Sequence, residues 1–369
     1  MGIIRILLAL SVLAAHSEAI FGTNLVGGKI AVQAFYIISG FYMSLILNEK
    51  YIGKNNSFRL FITNRFIRLF PIYWIVLTST IIVCIGVVII TKGQILPKFD
   101  SYLSVKTNIL SFLFLILTNI FLFGQDIVMF LGITPENGNL FFISDFAITK
   151  PPLHSFLFVP QAWTLSIELM FYLIAPFILK RGFKFVIIII ILSFICRLYL
   201  FNNLGLQNDP WTYRFFPSEI MFFLFGYLSY RMYLKIKNIF LPTYISKIIL
   251  LYVIVLTIVY QSLPVIKISY SPFNLFEIIY FLSIIFSIPV LFNFSKNLKF
   301  DNMIGELSYP VYISHILVIT ICSAVPFEFL KTGWLFALIT IIIAYFLNKI
   351  VAIPLEKYRQ SRLNNIPNT

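Results

Sequence analysis

The run LFPIYWIVLTSTIIVCIGVVIIT at residues 69–91 holds no charged side chain over 23 residues. As a helix it would extend about 35 Å, enough to cross the roughly 30 Å hydrocarbon core of a bilayer. Apolar runs of similar length recur at 2–20, 29–48, 108–131, 161–179, 184–201, 214–233, 245–264, 273–292, 304–325 and 332–353. Composition agrees: 60% of the 369 residues are hydrophobic and 11% are charged, against roughly 25% charged in a soluble domain. A soluble fold of this size cannot hide so much apolar surface, whereas lipid can. The 41 Phe and 20 Tyr suit lipid-facing helix faces and interfacial belts. The chain therefore reads as an all-α integral membrane protein, with one membrane domain over 1–355 and a short cytoplasmic tail over 356–369.

Outward from residue 69, the charges orient the runs. Lys50, Lys54, Arg59, Arg65 and Arg68 face only Glu49 in the preceding loop, and such a basic loop stays cytoplasmic. Further basic groups stand at Lys180, Arg181 and Lys184, at Arg231, Lys235, Lys237 and Lys247, and at Lys296 and Lys299. The net charge of +14 is thus spread over loops and not gathered into the stripe that nucleic acid requires. Between the first two basic loops lie three runs (69–91, 108–131 and 161–179), yet both loops belong on one side. The parity predicts about ten transmembrane helices plus one re-entrant or broken helix, with both termini cytoplasmic; irregular backbone at that depth is tolerated only around a protein-lined cavity. Pro135, Asn137-Gly138 and Pro151-Pro152 make 132–160 a long loop suited to covering a site.

Cys84, Cys196 and Cys322 lie far apart inside apolar runs and read as packing residues; no metal-ligand spacing, Walker loop or Gly-x-Ser-x-Gly elbow occurs. Residues 1–19 also have the form of a secretory signal, ending Ser17-Glu18-Ala19.

Ionisable groups inside spans are costly and become functional candidates. Arg5 and His16, eleven residues apart, share one helix face about 16 Å apart along the axis, with the His expected deep in the bilayer. The plain alternative is an interfacial Arg and a core His. Arg65 and Arg68 at i,i+3, followed by Pro71 and Tyr73, present two guanidinium groups on one side, suited to bidentate phosphate binding or to anchoring on anionic lipid. In Trp163-Thr164-Leu165-Ser166-Ile167-Glu168, Thr164 and Glu168 converge at i,i+4, as part of a site or of a structural ion pair. Ser308, Tyr312 and His315 form one stripe, fit for a polar ligand path or for interhelical hydrogen bonds. His154 lies in the polar loop.

Taken in order, these pieces resemble the acyltransferase-3 family of bacterial multispanning membrane O-acyltransferases. Arg5 and His16 are similar to the family's Arg-x10-His. Val32 to Phe41, including Ser39, resembles its second-helix signature, although Gln33 stands where many members carry Asp. Arg65, Arg68, Pro71 and Tyr73 match Arg-x-x-Arg-x-x-Pro-x-Tyr. Trp163 to Glu168 resembles Trp-Ser-Leu-Ser-x-Glu, with Thr164 in place of Ser. Ser308, Tyr309, Tyr312 and His315 match Ser-Tyr-x-x-Tyr-x-x-His. The likeness runs from residue 2 to about 355, without the fused esterase-like domain of some members, so the stand-alone form is expected. It also favours retention of residues 1–19, since cleavage would discard Arg5 and His16.

The resemblance implies transfer of an acyl group, most often acetyl, from acyl-CoA to a hydroxyl of a cell-envelope polysaccharide or glycolipid at the bacterial inner membrane. Acyl-CoA is then a substrate, with no bound cofactor and no metal. By this resemblance His16 is a general base or transient acyl carrier, Glu168 its orienting or charge-balancing partner, and Arg5, Arg65 and Arg68 the donor-binding residues. Ser39, Trp163, Thr164, Ser308, Tyr309 and His315 are acceptor-side or supporting. A transporter or flippase of a lipid-linked sugar is the rival from another class; it too would want intramembrane polar groups, but has no special need for an Arg pair at one mouth.

Overall fold

A computed structural model describes residues 1–51, 58–106, 108–325 and 327–364; Lys54 and the end of the tail lie outside the described residues. The helices are α1 (Gly2–His16), α2 (Gly28–Glu49), α3 (Phe58–Ile90), α4 (Phe99–Leu103), α5 (Ile109–Phe121), α6 (Trp163–Ile178), α7 (Phe183–Asn202), α8 (Phe216–Ile236), α9 (Thr243–Val259), α10 (Leu275–Ser295), α11 (Lys299–Ala324), α12 (Gly333–Leu347) and α13 (Ile353–Asn364). Among the described residues, strand is confined to a hairpin of β1 (Leu131–Ile133) and β2 (Leu140–Phe142), antiparallel with Gly132 opposite Phe141. The fold is all-α and integral to the membrane.

Among the described residues, eight helical stretches are long and apolar enough to cross a bilayer. They are α2, α3, α6 with its leading turn (Pro160–Ile178), α7, α9 with its trailing turn (Thr243–Ser262), α10, α11 and the continuous stretch Gly333–Leu363. The 21-residue α8 is long enough too, but carries Glu219, Arg231 and Lys235. Two apolar helices are shorter, α1 and α5. At 13 residues α5 rises only about 20 Å, so of the three runs in the parity argument it is the one too short to cross. The helix α1 also ends earlier than the apolar run suggests. Ser17 is already extended (φ −133, ψ −160), which leaves His16 as the last helical residue and exposed, not deep within a longer span.

The hub is α2, which packs against α1, α6, α8 and α10. Its tightest partner is α8, and glycine explains the approach: a Cβ on Gly40 would overlap the Phe223 carbonyl, and one on Gly226 the Ile37 carbonyl and Phe41 nitrogen. Small residues permit such backbone contact where lipid supplies no hydrophobic drive between helices. Gly226→Ala is therefore expected to push α2 from α8 and cost about 1–3 kcal/mol as an overpacking change, seen as a lower temperature of aggregation in detergent. On the periphery α7 and α9 expose Ile188, Ile191, Leu192, Ile195, Ile248 and Leu251, as lipid-facing surfaces do.

Two features place the site. The 33-residue α3 is about 50 Å long, so its first turns, with Arg65 and Arg68, run beyond the apolar stretch that begins at 69. At the opposite end, residues 122–162 form a folded cover built from the β1–β2 hairpin and short 3-10 turns, burying Leu153, Phe156, Leu157 and Val159.

Candidate active site

Residues from all five polar motifs meet at one cavity of about 100 Å³ in the helix bundle. Arg5 reaches it from α1, Ser39 and Tyr42 from α2, Arg68 from α3, Thr164 and Glu168 from α6, and Ser308, Tyr309 and Tyr312 from α11. Inside a bundle surrounded by lipid, polar groups gather where they can pair or line a cavity, and here they do both. The Glu168 carboxylate accepts from Ser39 Oγ at 2.6 Å and from the Tyr172 hydroxyl. It attracts Arg5 across the cavity without forming a direct ion pair.

Hydrogen bonds fix the walls. Tyr309 donates its hydroxyl to the Leu69 carbonyl at 2.6 Å, linking α11 to α3. Tyr312 donates to the Gln161 carbonyl at 2.8 Å and lies 2.7 Å from Thr164 Oγ1, while Gln161 Nε2 donates to the Ile313 carbonyl at 2.7 Å. The start of α6 is thereby sewn to α11 just past Pro310, which lies inside that helix. Ser308 bonds within its own helix, to the Gly305 carbonyl at 2.7 Å.

His315 stands one step beyond Tyr312. Its Nδ1 lies 2.6 Å from the Tyr312 carbonyl; a carbonyl only accepts, so Nδ1 carries a proton and, in the neutral ring, Nε2 keeps its lone pair. Nε2 is buried with no partner among the described residues. The ring beside it is His16, centroid to centroid 5.3 Å at 30°. The two histidines, from opposite halves of the sequence, thus form a pair at the far end of α1 from Arg5. Glu168 is not in this pair; its bonds are to Ser39 and Tyr172.

Past the histidines lies the cover. The Arg214 guanidinium sits 4.1 Å over the Trp163 ring and forms a fork with Asp209, at 2.7 and 2.9 Å. Trp163 therefore serves as a buried platform for Arg214. His154 packs edge-on against Phe146 at 5.3 Å. Burial first, and the charge of Arg214 second, hold the His154 imidazole below its ordinary value, which leaves it neutral at pH 7. Burial pushes the Asp126 carboxyl up against the opposing bond from Ser166 at 2.6 Å.

At the other end the cavity widens. Arg5, Tyr42, Arg68 and Tyr309 also line a space of about 570 Å³, and Tyr42 and Arg68 line a neighbouring one of about 350 Å³ that Arg65 faces. Arg65 and Arg68 are placed differently: Arg68 faces all three spaces, whereas Arg65 is 2% exposed and meets only the outer one.

Two charges within apolar runs carry no weight in the motif reading. Arg197 and Glu219 are fully buried and paired at 2.7 Å between α7 and α8, and Gln33 Nε2 donates to Glu219 at 3.1 Å. Like Glu168, each is an ionisable group inside an apolar run, and so a visible candidate in the sequence. On α2 this chain thus has an amide, Gln33, facing the Glu219 carboxylate on α8. Among the described residues no three His, Cys, Asp or Glu side chains gather as a metal site.

A family model described as an acyltransferase domain matches residues 1–349 of this 369-residue chain. The chain belongs to that family and is a membrane acyltransferase. No curated protein and no solved structure matches it.

Proposed function

We propose that this acyltransferase moves an acyl group, most simply acetyl, from a cytoplasmic acyl-CoA to a hydroxyl of a cell-envelope glycan or glycolipid at the opposite mouth, in a bacterial inner membrane with both termini cytoplasmic. The observation that carries the proposal is the line of spaces through α1: a basic vestibule, a narrow polar cavity, and a histidine pair beyond it. That order suits a donor with a polyanionic head and a thin, reactive end. Arg68 and Arg65 would meet phosphates by charge-assisted bonds, and Arg5 and Tyr42 would line the passage. Glu168 would offset Arg5 and hold Ser39 in the wall.

In this scheme the acceptor hydroxyl loses its proton to His16 as its oxygen attacks the thioester carbon. The C–S bond breaks, and the CoA thiolate takes the proton back. Attack by the imidazole itself, giving a transient acyl-His, uses the same atoms in two steps. His315, with its proton fixed on Nδ1, would pack against the His16 ring with its Nε2 lone pair free beside it.

The test uses purified protein, acetyl-CoA and an envelope glycan fraction. Free CoA thiol should appear together with an ester on the glycan, detected by mass spectrometry. A transporter would release no thiol. Arg68→Lys keeps the charge but loses the planar fork, so donor affinity measured by calorimetry should fall about tenfold, the equivalent of one charge-assisted hydrogen bond. If the wild type neither binds acetyl-CoA nor releases thiol, the reading is wrong.

A further inference from the structure

The family match stops at residue 349, yet the chain continues through a π-helical turn at Asn348–Ala352 into α13. This last helix is not a loose tail. Arg362 bonds Asn64 Oδ1 at 2.8 Å and Thr63 Oγ1 at 2.9 Å, which pins α13 to the first turns of α3. As a result Glu356 and Arg359 line both outer spaces of the vestibule, alongside Tyr42 and Arg68.

The electrostatics of this wall are unbalanced. Around the 350 Å³ space stand Lys50, Arg65, Arg68, Lys296 and Arg359, with Glu356 as the one carboxylate among the described lining residues. Arg359 is only 7% exposed; its Nη1 bonds Glu356, and its Nε has no partner. Arg65 is more deeply buried still, with both Nε and Nη1 unpartnered. Arg65 and Arg68 both repel Arg359. Guanidinium groups held together with donors unfilled are costly unless an anion joins them. The remaining donors are N–H groups of planar forks, which match phosphate oxygens.

We propose that α13 completes the donor site, with Arg359 acting beside Arg65 and Arg68 to bind a phosphate-bearing ligand. On the acyl-CoA reading above, on which this inference rests, that ligand is the nucleotide end of the donor. The same chemistry could be satisfied by the headgroup of an anionic lipid, and the experiment separates the two.

The full chain is placed in nanodiscs of neutral phosphatidylcholine and titrated with CoA by calorimetry. Arg359→Gln should weaken CoA binding about tenfold, and Arg359→Lys several-fold, because the charge stays while the fork is lost. Thermal stability without CoA should not fall in either variant, since each keeps or relieves the repulsion from Arg65 and Arg68. If Arg359→Gln does not fold, the Lys variant decides. CoA affinity unchanged in the folded variants would overturn the role of α13 while leaving the donor reading intact. No CoA binding by the wild type would remove the donor reading and this inference together. If phosphatidylglycerol discs stabilise the wild type, and Arg359→Gln abolishes that effect without altering CoA binding, the site holds lipid and the nucleotide assignment fails.

Discussion

His16→Ala is expected to lower acyl transfer by roughly 10²–10⁴-fold, the usual contribution of a positioned general base, in a protein that still inserts and folds. The separation of rate from stability follows from position. His16 is the exposed last residue of α1, so alanine there leaves no cavity and suits a helix. What it loses is the ring 5.3 Å from His315. His315→Gln should behave differently. That side chain is fully buried and bonded to the Tyr312 carbonyl, so a change disturbs packing and activity together. The measurement is ester formation per mole of monodisperse protein, with the glycan analysed by mass spectrometry. Transfer by His16→Ala within twofold of wild type would remove this histidine from the reaction.

What could be read from the sequence was whatever depends on chain-local periodicity. Helical spacing alone puts Arg5 and His16 on one face, and Thr164 and Glu168 on another. The odd count of apolar runs between two basic loops demanded one that does not cross, and the 13-residue α5 is short enough to be it. Which partner each polar group meets was not legible, because that depends on how helices from distant parts of the chain pack. Glu168 read as a companion for His16, but the packing of α6 against α2 brings it to Ser39, with His315 beside His16. The same limit hid Arg359. In a basic, polar tail it looks like a solvated charge, and only the docking of α13 on α3 turns it inward. Arg197 and Glu219 were a different case: each is a charge inside an apolar run, a visible sign whose meaning needed the other residue.

That pair yields the largest expected effect on folding. Arg197 and Glu219 are wholly buried, and Arg197 also donates to the Thr212 and Ser218 carbonyls and lies 4.7 Å from the centre of the Phe273 ring. The ion pair therefore ties α7, α8 and the loop between them, while Gln33 extends the network to α2. Removing one member leaves the other charged, desolvated and without its counter-ion, which typically costs about 3–5 kcal/mol. Arg197→Met and Glu219→Leu should each sharply reduce the yield of monodisperse protein and its aggregation temperature. The double variant should be milder than either single, because no uncompensated charge remains. Its residual defect comes from the Gln33 amide and the Thr212 carbonyl losing their partners, at about 1–3 kcal/mol each when buried. Such non-additivity is the signature of direct coupling. Additive losses in the double variant would mean that each residue acts through separate contacts and that the ion pair is incidental. None of Gln33, Arg197 and Glu219 lines the cavity, so the double variant that folds should retain its affinity for the donor, which distinguishes a scaffold role from a place in the reaction.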